Sequence, residues 1–268
     1  MPFSNAELLA GQVQSGLDAG EFSAYFQPKF DADSEDVVGL EALLRWLHPD
    51  DGLQEAGLFM PAVERVPDLA EKVDAWVLNE TTRQAQMWLD QGLSFGFLNV
   101  NISAWHNTEV LVSMVEKALH DSGFPAKSLA LECPWRMMAI DVEGISKTMR
   151  ALRALGCVMV LDGNPLDQGC LDVVRSTPVQ MSKICIEHMQ HISETDGIGA
   201  LSRLVKGWQK QKVQIVSVGV ESEDDLDLSH KAGCRLSQGS RFKSPLPSAE
   251  ITFLLKAIDQ TKKALSII

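Results

Sequence analysis

The chain has no basic excess. Its 268 residues carry 24 Lys and Arg against 36 Asp and Glu, a formal charge of −12 at pH 7. Non-specific binding to a polyphosphate backbone draws on clustered cations, so no nucleic acid polymer is expected as a partner, and an anionic ligand needs a local cation or a metal. There is no C-x-x-C pair among the five cysteines, Cys133, Cys157, Cys170, Cys185 and Cys234. An odd number at irregular spacing indicates neither a disulfide framework nor a zinc knuckle and fits a reducing cytoplasm. No apolar run approaches the roughly 18 residues of a membrane span, and the opening MPFSNAELLAG lacks a basic stretch followed by an apolar one. The expectation is an unexported cytoplasmic protein with no membrane partner, in which the N-x-[ST] matches at Asn79 and Asn101 carry no glycan. Internal repeats, low-complexity tracts and Pro/Gly/Ser linkers are missing too, which argues for a single domain over 1–268.

What is there is ample core and a regular rhythm. Hydrophobic residues make up 45% of the chain and charged residues 22%, the balance of a globular protein. Apolar runs of strand length recur at 23–30, 37–46, 94–103, 128–133, 157–162, 179–185, 213–220 and 234–242. Segments with helical period fill gaps after the second run, at 67–92, 108–123, 142–156, 198–212 and 222–233. Strand-helix alternation over a whole chain implies a parallel sheet, and eight such units imply an α/β fold of TIM-like (β/α)8 barrel type. The first two runs are joined by too short a polar stretch for a crossover helix, so they should form an antiparallel hairpin and make the first strand irregular. An N-terminal helix over 1–20, a barrel over 21–247 and a closing helix over 248–268, with Ser248 as N-cap, complete the expectation.

In such a barrel the strand ends at the C-terminal mouth build the site. The second strand brings Glu41, the third Asn101, the fourth Glu132 and the fifth Asp162, a set of oxygen donors suited to one hard divalent cation, Mg2+ or Mn2+. Glu41 and Glu132 lie inside otherwise apolar strands, where an unpartnered carboxylate would cost several kcal/mol or be forced to protonate. Lys183, Glu221 and Gln238 at later strand ends could reach a phosphate or a base edge. His188 and His191 form an H-x-x-H without a third ligand, and solvated histidines are expected there. Trp76, Met87 and Trp88 fall at helical spacing as packing residues, while Trp135 beside Arg136, Met137 and Met138 reads as an exposed apolar patch.

The run GLEALLRW, with Glu41-Ala42-Leu43 and Arg45, resembles the signature of EAL domains, TIM-like barrels that hydrolyse or sense the bacterial second messenger cyclic di-GMP. YFQPKF, VNIS, LALE, ALGCVMVLD, SKI, GVES and QGSRFKSPLP extend the resemblance in order along nearly the whole chain. It implies that Glu41, Asn101, Glu132 and Asp162 ligate a metal and that Lys183 faces the attacked phosphate. It further implies that Arg45 holds a ligand phosphate, that Asp74 takes a guanine edge, and that Leu43, Glu221 and Gln238 complete the ligand pocket. Where active members carry a second acid after the strand-five Asp, this chain has Gly163, and where they carry a Glu before Gly-Val-Glu it has Val218. A positioned base alone is worth roughly 10²–10⁴ in rate, so these losses point to a degenerate, non-hydrolysing cyclic di-GMP effector that needs no metal if it is only a receptor. A protein-interaction module that has abandoned the nucleotide is the alternative, with its contact at the Trp135–Met138 region and the Gly163–Gly169 loop. Weak metal-dependent phosphodiesterase activity is the second alternative. The rewritten loop leaves a homodimer open.

Overall fold

The computed structural model describes residues 5–265. The strands are β1 (Phe22–Asp31), β2 (Val37–His48), β3 (Gly52–Glu55), β4 (Phe97–Asn101), β5 (Leu129–Pro134), β6 (Val158–Asp162), β7 (Met181–Cys185), β8 (Gln214–Val218), β9 (Leu236–Gln238) and β10 (Leu246–Pro247). β2, β4, β5, β6, β7, β8 and β9 pair in parallel order, and β1 closes the barrel antiparallel between β9 and β2. The eight-stranded barrel with an inverted first strand therefore matches the sequence expectation. β3 and β10 are short additions at the C-terminal mouth and were not anticipated.

The helices are α1 (Asn5–Ala19), α2 (Ala56–Val63), α3 (Pro67–Asp90), α4 (Thr108–Ser122), α5 (Trp135–Ile140), α6 (Val142–Ala154), α7 (Gln168–Ser176), α8 (Ile186–Asp196), α9 (Ile198–Lys210), α10 (Glu223–Ala232) and α11 (Ser248–Leu265). Local chemistry explains the clearest boundaries. Pro67 opens α3, Asn107 caps α4 through the Val110 N–H, and Ser222 with Asp225 forms a capping box on α10. α2, α5, α7 and α8 are additional to the helices read from periodicity. α2 contains Pro61, which reads as a breaker, and α8 buries only the narrow stripe Ile186, Met189 and Ile192. α11 begins at Ser248, so that residue lies in its first turn and not before it. The ends of the expected terminal helices, 1–4 and 266–268, lie outside the described residues.

The main core fills the space between the barrel wall and the helices, with Trp88, Trp105 and Trp208 fully buried in it. Met87 is 44% exposed, so it is not one of the packing residues its spacing suggested. The barrel lumen is layered. Successive inward positions along a strand are two residues apart, and they run from apolar to polar toward the C-terminal end: Ala130 then Glu132 on β5, Met181 then Lys183 on β7, Val160 then Asp162 on β6. Ala130, Val158, Val160, Met181, Val216 and Leu236 make a lower apolar cluster, with Val38, Phe97 and Val218 packed against it.

Candidate functional site

Closure of the barrel brings Glu41 from β2, Glu132 from β5, Asp162 from β6 and Lys183 from β7 to one point. The Lys183 ammonium bonds both oxygens of Glu41 at 3.0 and 2.9 Å and Oε2 of Glu132 at 2.8 Å, with Asp162 at 3.8 Å. Lys29, from β1, reaches Oε1 of Glu132 at 3.0 Å. Amides complete the cluster: Asn99 donates to Glu132, while Asn101 and Gln238 donate to Glu41 at 2.9 and 2.7 Å. These are buried charges, and burial in a lumen is tolerable only because each meets an opposite charge and further hydrogen bonds. Burial alone would raise the Glu41 pKa, but Lys183 and Lys29 together with Asn101 and Gln238 hold it well below the usual carboxylate range. Burial likewise works against the charged form of Lys183, yet Glu132, Glu41 and Asp162 keep its pKa well above normal. Asp162 goes the other way. Its pKa is raised by burial, against the pull of Lys183 and with the repulsion of Glu132 and Glu41.

Three of the four expected metal ligands, Glu41, Glu132 and Asp162, are thus gathered around an ammonium, and the fourth, Asn101, bonds Glu41. Each oxygen of Glu132 and Glu41 already accepts from Lys183, Lys29 or an amide, and Lys183 Nζ lies among Glu41, Glu132 and Asp162, with Asn101 joined to it through Glu41. Among the described residues no trio of Asp, Glu, His or Cys is spaced as a metal shell. EAL domains are typically dependent on a divalent metal. In this arrangement the residues do not fit one, because the central charge is already supplied by the chain itself.

Above this floor opens a cavity of about 450 Å³, a size usual for a small-molecule site. Glu41, Leu43, Asp74, Asn101 and Asp162 line it, together with Glu64 and Arg136. Asp74, on α3, is 2% exposed and accepts the backbone N–H groups of Ser103 and Ala104 through Oδ2 at 2.9 and 2.8 Å. Burial nevertheless raises its pKa to about 7, with Glu64 adding repulsion. Arg136 crosses from α5 to Glu64, at the end of α2, with Nη2 2.5 Å from Oε1.

Of the expected pocket residues outside the cavity lining, Gln238 lies in the floor on Glu41, and two stand elsewhere. Arg45 lies over the Tyr25 ring, 5.7 Å from its centroid, with its guanidinium on Glu55 at 3.3 Å, and it is outside the lining of the cavity. Glu221 is exposed at the start of α10, its backbone N–H held by Asp225. The expected exposed patch is also smaller than the sequence suggested, because Met138 is fully buried and Trp135 and Met137 pack against the core. In the loop after β6, Asn164 is buried on Ser182 at 2.5 Å and Leu166 is fully buried. His188 is half-buried with Nε2 2.6 Å from the Pro165 carbonyl, so it ties that loop down and is not a solvated residue.

Lys29, Asn99, Arg136 and Glu64 were not among the site residues read from sequence. The rule that singled out Glu41 and Glu132, a charge inside an apolar strand, applies equally to Lys29 in YFQPKF. Asn99 stands two residues before Asn101 and so faces the same lumen. Nothing local marks Glu64 and Arg136.

The same architecture recurs in known proteins. The phosphodiesterase MucR of Pseudomonas aeruginosa, solved as a cyclic di-GMP complex, superposes with a TM-score of 0.83 at 28% identity over 91% of this chain and 99% of that one. The FimX EAL domain of Pseudomonas aeruginosa, bound to cyclic di-GMP, shares the fold with a TM-score of 0.79 at 20% identity, covering 91% and 97%. The oxygen sensor protein DosP of Escherichia coli is 28% identical over 91% of the chain, which spans 31% of that relative's length. The chain spans about a third of each of these curated full-length relatives, MucR included. The EAL domain profile matches residues 10–245, and with the closed barrel, the inverted first strand and the acid-lined lumen in place, the chain belongs to the EAL domain family.

Proposed function

We propose that this EAL domain binds cyclic di-GMP without hydrolysing it and acts as an effector in second-messenger signalling. The observation that carries the reading is the lumen floor, where Lys183 and Lys29 neutralise Glu41 and Glu132 and leave no carboxylate oxygen of that pair free to hold a cation or accept a proton from water. Gly163 and Val218 stand where active members place the second acid and the catalytic Glu. Val218 instead packs against the apolar lumen layer. Above the floor, Asp74 offers an acceptor for the paired N–H donors of a guanine edge, and Leu43 an apolar wall. Arg45 reaches a ligand phosphate by leaving Glu55, whose side chain is 74% exposed and holds it weakly.

Calorimetric titration of cyclic di-GMP into the chain tests this, once in EDTA and once with Mg2+ or Mn2+. Binding of equal strength in both, with no linear dinucleotide formed in Mn2+, is the expected result. Absence of binding at high micromolar nucleotide, or Mn2+-dependent turnover, would reject it.

A second reading, a protein-docking role for the same face, is favoured by Ile140. It is 87% exposed at the end of α5, next to the half-buried Trp135 and Met137. Ile140→Asp leaving cyclic di-GMP binding unchanged while abolishing capture of a partner would support that role. Unchanged capture would dismiss it.

A further inference from the structure

The cavity presents far more acid than base. Glu41, Glu64, Asp74 and Asp162 all line it, and Arg136 is the one Lys or Arg among its lining residues. A cyclic dinucleotide carries two phosphodiester anions, so it cannot enter such a site without a cation at its own level. The ammoniums of Lys29 and Lys183 are held beneath by Glu41 and Glu132, and Arg45, which can leave Glu55 for one phosphate, leaves the second without a cation.

Arg136 is placed to be that cation. Its side chain and that of Glu64 are 54% and 34% exposed, so water screens the pair and either partner can be exchanged. The backbone beneath is fixed, because α5 is anchored by the fully buried Met138 and by Trp135 packed on the core. A change of partner therefore needs only rotation of the Arg136 side chain. Resting on the receptor reading above, we propose that Arg136 reads the ligand's phosphate. It releases Glu64 and places its fork on a phosphodiester of the bound nucleotide, and Glu64 occupies the guanidinium until the ligand arrives. The planar fork suits two phosphate oxygens, as it suits the carboxylate that it now holds.

Calorimetry with cyclic di-GMP at two salt concentrations tests the proposal on the unaltered chain, Arg136→Ala, Arg136→Lys, Glu64→Gln and the Arg136→Ala, Glu64→Gln double variant. Loss of a charged hydrogen bond should weaken Arg136→Ala about tenfold or more, with a shallower salt dependence, and Arg136→Lys should fall between. Glu64→Gln removes a competitor and should tighten binding by about two- to fivefold, a gain that vanishes in the double variant. Arg136→Ala binding like the unaltered chain would overturn the proposal. So would weakened binding with an unchanged salt dependence, which would put Arg136 on an uncharged base edge, or a Glu64→Gln gain that survives without Arg136. If Arg136→Ala fails to melt cooperatively, Glu64→Gln alone decides, and unaltered affinity there rejects the proposal. Failure of the unaltered chain to bind at all would remove the receptor reading itself, a result distinct from any of these.

Discussion

Lys183 meets Glu41 and Glu132 in the lumen, where the two acids are 4% and 0% exposed, whereas Arg136 meets Glu64 with a third or more of each side chain in solvent. The two pairings look alike on paper and differ in what surrounds them. In the lumen the charges are largely removed from water, so breaking the pairing is costly and it forms the floor. At the rim water competes for both partners, so the pairing is a resting state. One cavity thus has a charged floor buried from water and a charged edge open to it, the contrast on which the proposed receptor role rests.

The largest effect should come from breaking the floor. Lys183→Met leaves Glu41 and Glu132 buried with one ammonium between them, and removal of one partner from a buried ion pair typically costs about 3–5 kcal/mol. Urea unfolding should show that loss at pH 8 and a smaller one at pH 5, since the orphaned carboxylates can then protonate. A variant as stable as the parent at pH 8 would mean that the floor is not held by charge.

Asp74 sharpens the comparison next, as a buried acid with no ammonium beside it. Its folded pKa of about 7 lies above the ordinary value of 3.8, so its stabilising contribution is complete below pH 3.8 and is lost as pH rises through about 7. Stability should therefore fall between about pH 4 and 7 and level off above that, and Asp74→Asn should flatten that part of the profile. Nucleotide affinity should move oppositely and rise over the same interval, because a guanine edge needs the carboxylate. Titrations at pH 6 and pH 8 read this directly, and affinity that declines with pH would remove Asp74 from guanine recognition.

Glu55→Gln should matter least for the fold. Its ion pair with Arg45 is exposed on the glutamate side, and such pairs contribute roughly 0–1 kcal/mol, so thermal unfolding should barely move. If Arg45 takes a phosphate on binding, the same variant should bind cyclic di-GMP slightly more tightly. Weaker binding would instead make Glu55 part of the ligand site.

Much of this molecule was legible before folding. Strand runs alternating with helical period implied the barrel, and the short polar stretch between the first two runs implied its inverted strand. Helices α2 and α8 were hidden because Pro61 and a narrow apolar stripe mask their period. Glu41 and Glu132 announced themselves because a charge in an apolar strand must be partnered; a metal was expected there, and the structure places Lys183 and Lys29 on both acids. Lys29 obeyed the same logic and was passed over.

The sequence by itself determined which face each strand residue takes, since alternation at period two sends Glu41, Glu132, Asp162 and Lys183 all into the lumen. Only the tertiary structure decided what they meet there. β2 and β7 are not neighbours in the sheet, so the 2.9 Å between Lys183 and Glu41 exists only once the barrel has closed. The same holds for Glu64 and Arg136, which lie 72 residues apart in the chain and meet across the cavity mouth. Alternation is a local property of a strand, whereas electrostatic partnership depends on distance through space.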